Sequence, residues 1–266
     1  MNLQLQGQHI LITGGSKGIG LACARGFLDE GARVTLVSRD PAHLEAGMQA
    51  LRAGGPLDET CLQVRTADLR DPAAALSALD SAEQGFGPVD VLVNSAGAAR
   101  RTPAAELTPQ AWHDAMQAKY FTYIHMMDPV VQRMGARGRG VIVNVIGSGG
   151  KVASPIHLPG GAANAALMLV SAGLAAAWGP KGVRVNAVNP GLTLTDRLKE
   201  GMAADARAQQ ISVEEAMARA HAKLPLGRMA RPEEIANAVV FLASPRASYI
   251  TGAILAMDGA VTPMVV

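Results

Sequence analysis

The chain is poor in aromatic residues, in cysteine and in net charge, and each shortage excludes something. Phe, Trp and Tyr make up only 3% of 266 residues, so the interior must be built from Val, Leu, Ile, Ala and Met. Two cysteines, Cys23 and Cys61, are too few for a disulfide framework or a cysteine-based metal site; no metal is expected, and a reduced, cytoplasmic setting is the simplest reading. A net charge of +2 is too small and too dispersed for a nucleic-acid-binding surface. With 49% hydrophobic and 17% charged residues, the chain can bury a large core and is not of the disordered class. The start, "MNLQLQGQHILITGG", has no basic segment leading into a long apolar run, so no signal peptide is expected. The most apolar long stretch, "GGAANAALMLVSAGLAAAW" (160–178), is mostly alanine and contains Asn164 and Ser171. It reads as a buried helix of a protein outside the membrane.

What is present is an alternation. Short β-branched runs at 9–13, 33–38, 61–66, 89–94, 140–145, 183–188 and 253–258 read as strands. They are continuous apolar runs rather than strict alternations, which suits strands covered on both faces of a parallel sheet. Helix starts lie between them. Asp40-Pro41 and Thr108-Pro109 place a capping side chain before a first-turn proline, and Ser212 with Glu215 has capping-box spacing. The length and the repeated alternation predict one α/β domain over residues 1–266, doubly wound around a seven-stranded parallel sheet. No internal repeat or linker interrupts it. Residues 196–224, "DRLKEGMAADARAQQISVEEAMARAHAKL", break the alternation with amphipathic helices.

The stretch "HILITGGSKGIGLACARGFL" is a strand, a glycine-rich turn and a helix, with Gly14, Gly18 and Gly20 spaced G-x-x-x-G-x-G. Residues without a Cβ allow positive φ and close approach of a pyrophosphate, and the helix start offers free N–H groups and a positive dipole end. The turn, with Gly14, Ser16, Lys17, Gly18, Ile19 and Gly20, therefore reads as the seat of a dinucleotide. The second strand ends "LVSRD". Ser38 and Arg39 stand where an acid would accept from a free ribose 2′-OH, and a guanidinium beside a small hydroxyl suits a 2′-phosphate. Lys17 adds a second positive charge. The cofactor favoured is NADP(H) over NAD(H), although Asp40 keeps a ribose-binding acid within one or two residues.

At this point the chain resembles the short-chain dehydrogenase/reductase family, over about residues 6–260. The resemblance rests on "TGGSKGIG" (13–20), "ADL" (67–69), "NSAG" (94–97), "VNPGLTLT" (188–195) and "PLGRMARPEEIANAVVFLAS…YITGAILAMDGA" (225–260). The last segment is similar to bacterial oxoacyl-carrier-protein reductases and their relatives. The resemblance implies that Asp68 and the Leu69 amide meet adenine. It implies that Asn94, Ala96 and Gly97 line the adenosine and central part of the groove, and that Pro190, Gly191, Thr193 and Thr195 hold the nicotinamide end. It also implies a substrate lid at about 196–224, and a homotetramer in which helices at 111–134 and 160–178 meet their symmetry mates. The all-round apolar character of 160–178 is consistent with a helix that needs a second partner.

The family's chemistry uses Ser, Tyr and Lys, with an Asn one helix earlier, and all four places depart from that pattern. The tyrosine position holds Gly160, the lysine position Asn164, the serine position Gly147 and the asparagine position Lys119. Tyr120, Tyr123 and Tyr249 do not restore a tyrosine four residues before a lysine. Three candidates for replacement remain: Lys119, Ser148 and His157. Each has a plain alternative, as an exposed helix lysine, a turn serine and a loop histidine. Gly160 and Gly161 are expected to leave room for a bulkier substrate, a water or another group, and Asn164 to hydrogen-bond the nicotinamide ribose. Three functions stay open. They are an NADP(H)-dependent oxidoreductase of a small carbonyl or alcohol with a non-standard mechanism, a silent cofactor-binding sensor, and a non-redox lyase or isomerase. The family resemblance favours the first.

Overall fold

In the computed structural model, which describes residues 1–97 and 99–263, seven parallel strands form one sheet. They are β1 (His9–Thr13), β2 (Arg33–Ser38), β3 (Leu62–Thr66), β4 (Val91–Asn94), β5 (Gly140–Val145), β6 (Val183–Pro190) and β7 (Ile254–Met257), in the order β3-β2-β1-β4-β5-β6-β7. The strand order reverses between β1 and β4, and the crevice beyond the carboxyl ends of these two strands is where such sheets bind ligands. Burial of all five residues of β1 and all four of β4 explains why the central strands read as unbroken apolar runs.

Helices cover both faces. α1 (Gly18–Asp29) and α2 (Pro41–Ala53) lie in the first half with α3 (Pro72–Phe86). Asp40 caps α2 by accepting from the Ala42 amide at 2.9 Å, and Asp71 caps α3 in the same way. The helix read at 111–134 is in fact two segments, α4 (Pro109–Ala115) and α5 (Thr122–Arg137), joined by a π-helical turn, Met116–Phe121. Such a turn inserts an extra residue and rotates the next helical segment, and it often marks functional positions. It carries Lys119. α6 (Leu158–Trp178) buries Gly160, Ala163, Asn164, Leu167, Ser171 and Ala175 on one face and leaves Leu169 77% exposed on the other. By length and composition this helix alone among the described residues could cross a membrane; its polar groups and buried face mark it as a core helix.

Residues 196–224 fold as α7 (Asp196–Gln209) and α8 (Val213–Ala222), with Gln210 left-handed between them (φ 56°). Leu198, Met202 and Met229 form a small core there, separate from the two large clusters on the sheet faces. Ser212 caps α8 through the Glu215 amide, as its spacing predicts. The capping box is not completed, because the Glu215 carboxylate pairs with Arg219 instead. α9 (Pro232–Ala243) returns the chain to the sheet before β7.

Candidate cofactor groove and active site

The glycine turn is shaped as a cradle. A Cβ at Gly14 would stand 2.7 Å from the Ala96 backbone, and one at Gly20 would collide with the Gly14 carbonyl; Gly18 has φ +54°. The first turn of α1 has neither a capping side chain nor an acid, so its free amides and positive dipole end are left for an anion. These residues fit the diphosphate of a dinucleotide. Lys17 is exposed at the helix start, where it can meet the same phosphates. Ser16 donates to Ser38 at 3.2 Å, which ties the turn to the end of β2.

Arg39 lies exposed beside Ser38. Asp68 accepts from Arg70, which with Arg39 nearby holds its carboxyl below the usual range. Asp68 is thus ionised, and the neighbouring Leu69 carbonyl accepts from His125. At the other end Pro190 closes β6. A Cβ at Gly191 would stand 2.9 Å from the Asp258 backbone. The following loop turns back so that the Thr195 methyl lies 3.3 Å from where a Gly18 Cβ would be. The 193–195 segment is thereby brought against the glycine turn, and Thr193 bridges to Ala230.

A buried polar chain runs beneath the groove. Thr13 donates to Asn94, Asn94 to Asn144 at 3.0 Å, and Asn144 to Ser171 at 2.9 Å, while Thr13 Oγ1 also accepts from the Ser95 and Ala96 amides. Of these side chains the motif "NSAG" marks Asn94 alone. An asparagine inside the apolar run "VIVNV" was the available signal for Asn144, because a buried amide must find partners.

The catalytic quarter is where the structure adds most. Lys119 is 7% exposed, not a surface lysine. Its Nζ donates to the Tyr123 hydroxyl at 2.8 Å and to the Val145 carbonyl at 3.2 Å. Burial, with Arg197 nearby, pushes its pKa down to about 7. Tyr123 is fully buried, donates to the same carbonyl, and burial raises its phenol pKa, so it serves to hold Lys119 rather than to ionise. An ammonium has three donors, and two are used here.

His157 lies at the start of α6. A Cβ at Gly160 would collide with its imidazole, standing 2.5 Å from Nε2. The expectation of open room at Gly160 is therefore corrected: the imidazole fills the space that a longer side chain there would enter. Its Nδ1 is enclosed and unpartnered. Burial, then Arg101, Arg197 and Lys119, push its pKa down to about 4, so it is neutral at pH 7. Gly161 is closed too, since a Cβ there would meet the Gly149 carbonyl at 2.8 Å. Asn164 is buried, with its amide nitrogen 3.3 Å from where a Gly147 Cβ would be. Ser148 starts a single 3₁₀ turn and lines a small crevice with Lys151, Asn189, Ala256, Asp258 and Thr262. The larger cavity, about 680 Å³, lies beside α8 and is lined by Leu194, Met217, Ala218, His221, Arg228, Met229 and Arg231. None of the candidate catalytic residues lines it.

The sheet order, the cradle and the groove define a doubly wound nucleotide-binding protein of the dehydrogenase type. Residues 14–262 match a family described as enoyl-(acyl carrier protein) reductase. The chain is 36% identical to D-threitol dehydrogenase of Mycolicibacterium smegmatis over 98% of its own length and 95% of the relative's. Its fold is similar to that of an NADPH-bound variant of actinorhodin polyketide ketoreductase, with a TM-score of 0.91 and 30% identity over 97% and 98% of the two chains. It is also similar to a short-chain oxidoreductase of Pseudomonas aeruginosa PAO1 described as containing an atypical catalytic center, with a TM-score of 0.87 and 30% identity over 98% and 99%. The chain belongs to the short-chain dehydrogenase/reductase family, and is an oxidoreductase of that class.

Proposed function

We propose that the protein is an NADP(H)-dependent reductase or dehydrogenase of a small-molecule carbonyl or alcohol, in which Lys119 moves the proton that a phenol moves elsewhere in the family. The observation that carries this reading is the buried Lys119 ammonium, held by Tyr123 and Val145 with a lowered pKa. A nicotinamide cofactor, when bound, supplies or accepts hydride. The chain's own residues do the rest. Lys119 Nζ presents its remaining N–H toward a substrate oxygen, donating a proton in reduction and accepting one in oxidation. Asn164 would hold the nicotinamide ribose by a hydrogen bond without charge. Neutral His157 closes the wall beside Gly160, and Ser148 stays a candidate donor. α7 and α8 act as the substrate lid, excluding water once substrate is bound. A cytoplasmic setting belongs to the same reading.

The test is NADPH oxidation against a panel of ketones, diketones and oxoacyl thioesters, run beside fluorescence titration of both cofactors. Turnover is expected, with NADPH binding about tenfold tighter than NADH, the size of an exposed charge-assisted contact. Arg39→Ala should erase the preference. Tight cofactor binding without turnover would leave a sensor, and substrate conversion without net redox a lyase or isomerase. Equal cofactor affinities, unchanged by Arg39→Ala, would overturn the NADP assignment.

The exposed apolar face of α6 supports a homotetramer. Light scattering at micromolar concentration should give four times the 27.5 kDa chain mass; a monomer there would refute it.

A further inference from the structure

Three basic side chains, Arg101, Lys119 and Arg197, lie near enough to His157 to lower its pKa, and among the described residues no buried acid balances them. The loop carrying Arg101 is held on both sides: Arg197 donates to the Ala99 carbonyl, and the Thr102 amide donates to the Ile156 carbonyl at 2.9 Å. Arg101 thus sits between α7 and the turn that carries His157. Its guanidinium lies over Gly201, where a Cβ would stand 3.0 Å from Cζ and 3.1 Å from Nε. A glycine at this point of α7 is what leaves the guanidinium its place.

Several other arginines are matched by acids, and part-buried Arg184 is met by four backbone carbonyls. Arg52 pairs with Glu59, Arg133 with Asp80 and Glu83, and Arg228 with Glu234. Among the described residues half-buried Arg101 makes no ion pair, and Asp205 attracts it only from a distance. Arg197 has one acid, Glu200, at 3.4 Å and mostly in solvent. Arg101 and Arg197 repel one another, and both act with Lys119 on His157. Gathering like charges in a part-buried cleft costs stability, and the natural relief is an incoming anion.

We propose that Arg101 and Arg197 form a subsite for a carboxylate on the non-reacting end of the substrate, so that this enzyme acts on hydroxy or oxo acids. The proposal rests on the oxidoreductase reading for its chemistry, but the subsite itself is defined by binding. Planar guanidinium forks suit a carboxylate, and two of them fix its orientation as well as its charge. With the acid end held there, the carbonyl or hydroxyl carbon is left to Lys119 and the cofactor. The preference is for the substrate's anion rather than the cofactor's diphosphate, since the diphosphate has its own cradle at α1.

Calorimetric titration of the full-length protein saturated with NADP⁺ tests this, using butyrate, benzoate and cyclohexanecarboxylate, each beside its primary amide. At least one acid is expected to bind ten- to a hundredfold tighter than its amide, the usual worth of a charge-assisted pair. Arg101→Gln and Arg197→Gln should each remove most of that difference, with NADP⁺ affinity unchanged within about threefold. Arg101→Lys, which keeps the charge and loses the fork, should fall between. Relief of repulsion predicts a melting temperature equal to or above that of the wild type for Arg101→Gln, which makes it the decisive variant, since Arg197→Gln also gives up the bond to the Ala99 carbonyl. If no acid is preferred over its amide, or if the variants weaken NADP⁺ as much as the acids, the subsite is wrong. Acid preference in a protein that turns over no carbonyl or alcohol would instead sink the oxidoreductase reading and leave the subsite standing.

Discussion

Lys119→Met is expected to lower the rate of carbonyl reduction by about 10²–10⁴-fold, the usual worth of a positioned proton donor, and at the same time to raise the melting temperature. The two effects have one cause. Burial disfavours the charged ammonium, so its folded pKa, about 7, lies below the ordinary value of 10.5. Between those values the unfolded chain binds the extra proton, and stability rises with pH through that window; below about 7 the folded protein carries the full cost of a buried charge. A thioether of similar length removes that cost and leaves the Tyr123 hydrogen bond to Val145 in place. The groups facing the ammonium are Tyr123 on its own helical segment, the Val145 carbonyl of β5, Arg197 of α7 and His157 before α6; none is an acid that would restore its pKa. Reduction needs the protonated amine and should fall as pH rises through about 7, whereas oxidation should rise there. Both limbs should vanish from the residual rate of the variant, with NADPH affinity unchanged within about threefold. A wild-type rate near 10 s⁻¹ that Lys119→Met leaves untouched would show that another group carries the proton.

The reason these residues had to be seen in three dimensions differs from case to case. The strands were legible because central parallel strands are covered on both faces, and β1, β2 and β5 fall where their apolar runs lie. The glycine cradle was legible because only residues without a Cβ fit there. Lys119 could be placed on a helix but not in the interior, because the π-helical turn that carries it rotates the helix face by an extra residue, which a constant helical period does not anticipate. Tyr123 was within reach: lysine and tyrosine four apart share a helix face, in the reverse of the tyrosine-first order that the family's pattern directs one to seek. The Arg101–Arg197 pair joins a loop to a helix 96 residues later in the numbering, and no spacing rule relates them. His157 filling the place beside Gly160 is likewise a matter of the non-helical backbone at residue 157 (φ −140°, ψ 28°), which turns the imidazole over the first turn of α6.

That imidazole decides what happens when the missing pair is put back. Gly160→Tyr with Asn164→Lys is expected to give no gain in carbonyl reduction and a melting temperature lower by a few degrees. Replacing a helical glycine contributes about 0.5–1 kcal/mol in its favour. Against this, a Cβ at residue 160 already collides with His157, and overpacking costs about 1–3 kcal/mol. The new lysine also comes near Lys119, Arg101 and Arg197, with no buried acid among the described residues to meet it. Adding His157→Ala opens the space that a phenol needs, and Lys119→Asn removes the competing charge. The fourfold variant should recover the lost stability and reduce the ketone panel faster than the twofold variant by at least tenfold. Two outcomes decide the matter. If the twofold variant alone outpaces the wild type and melts no lower, His157 does not block the place, and the site is simply vacant. If the fourfold variant melts with the wild type and still fails to reduce any ketone that the wild type reduces, the groove needs Lys119 for its own chemistry, and the lysine site is a replacement for the family's relay rather than its remnant.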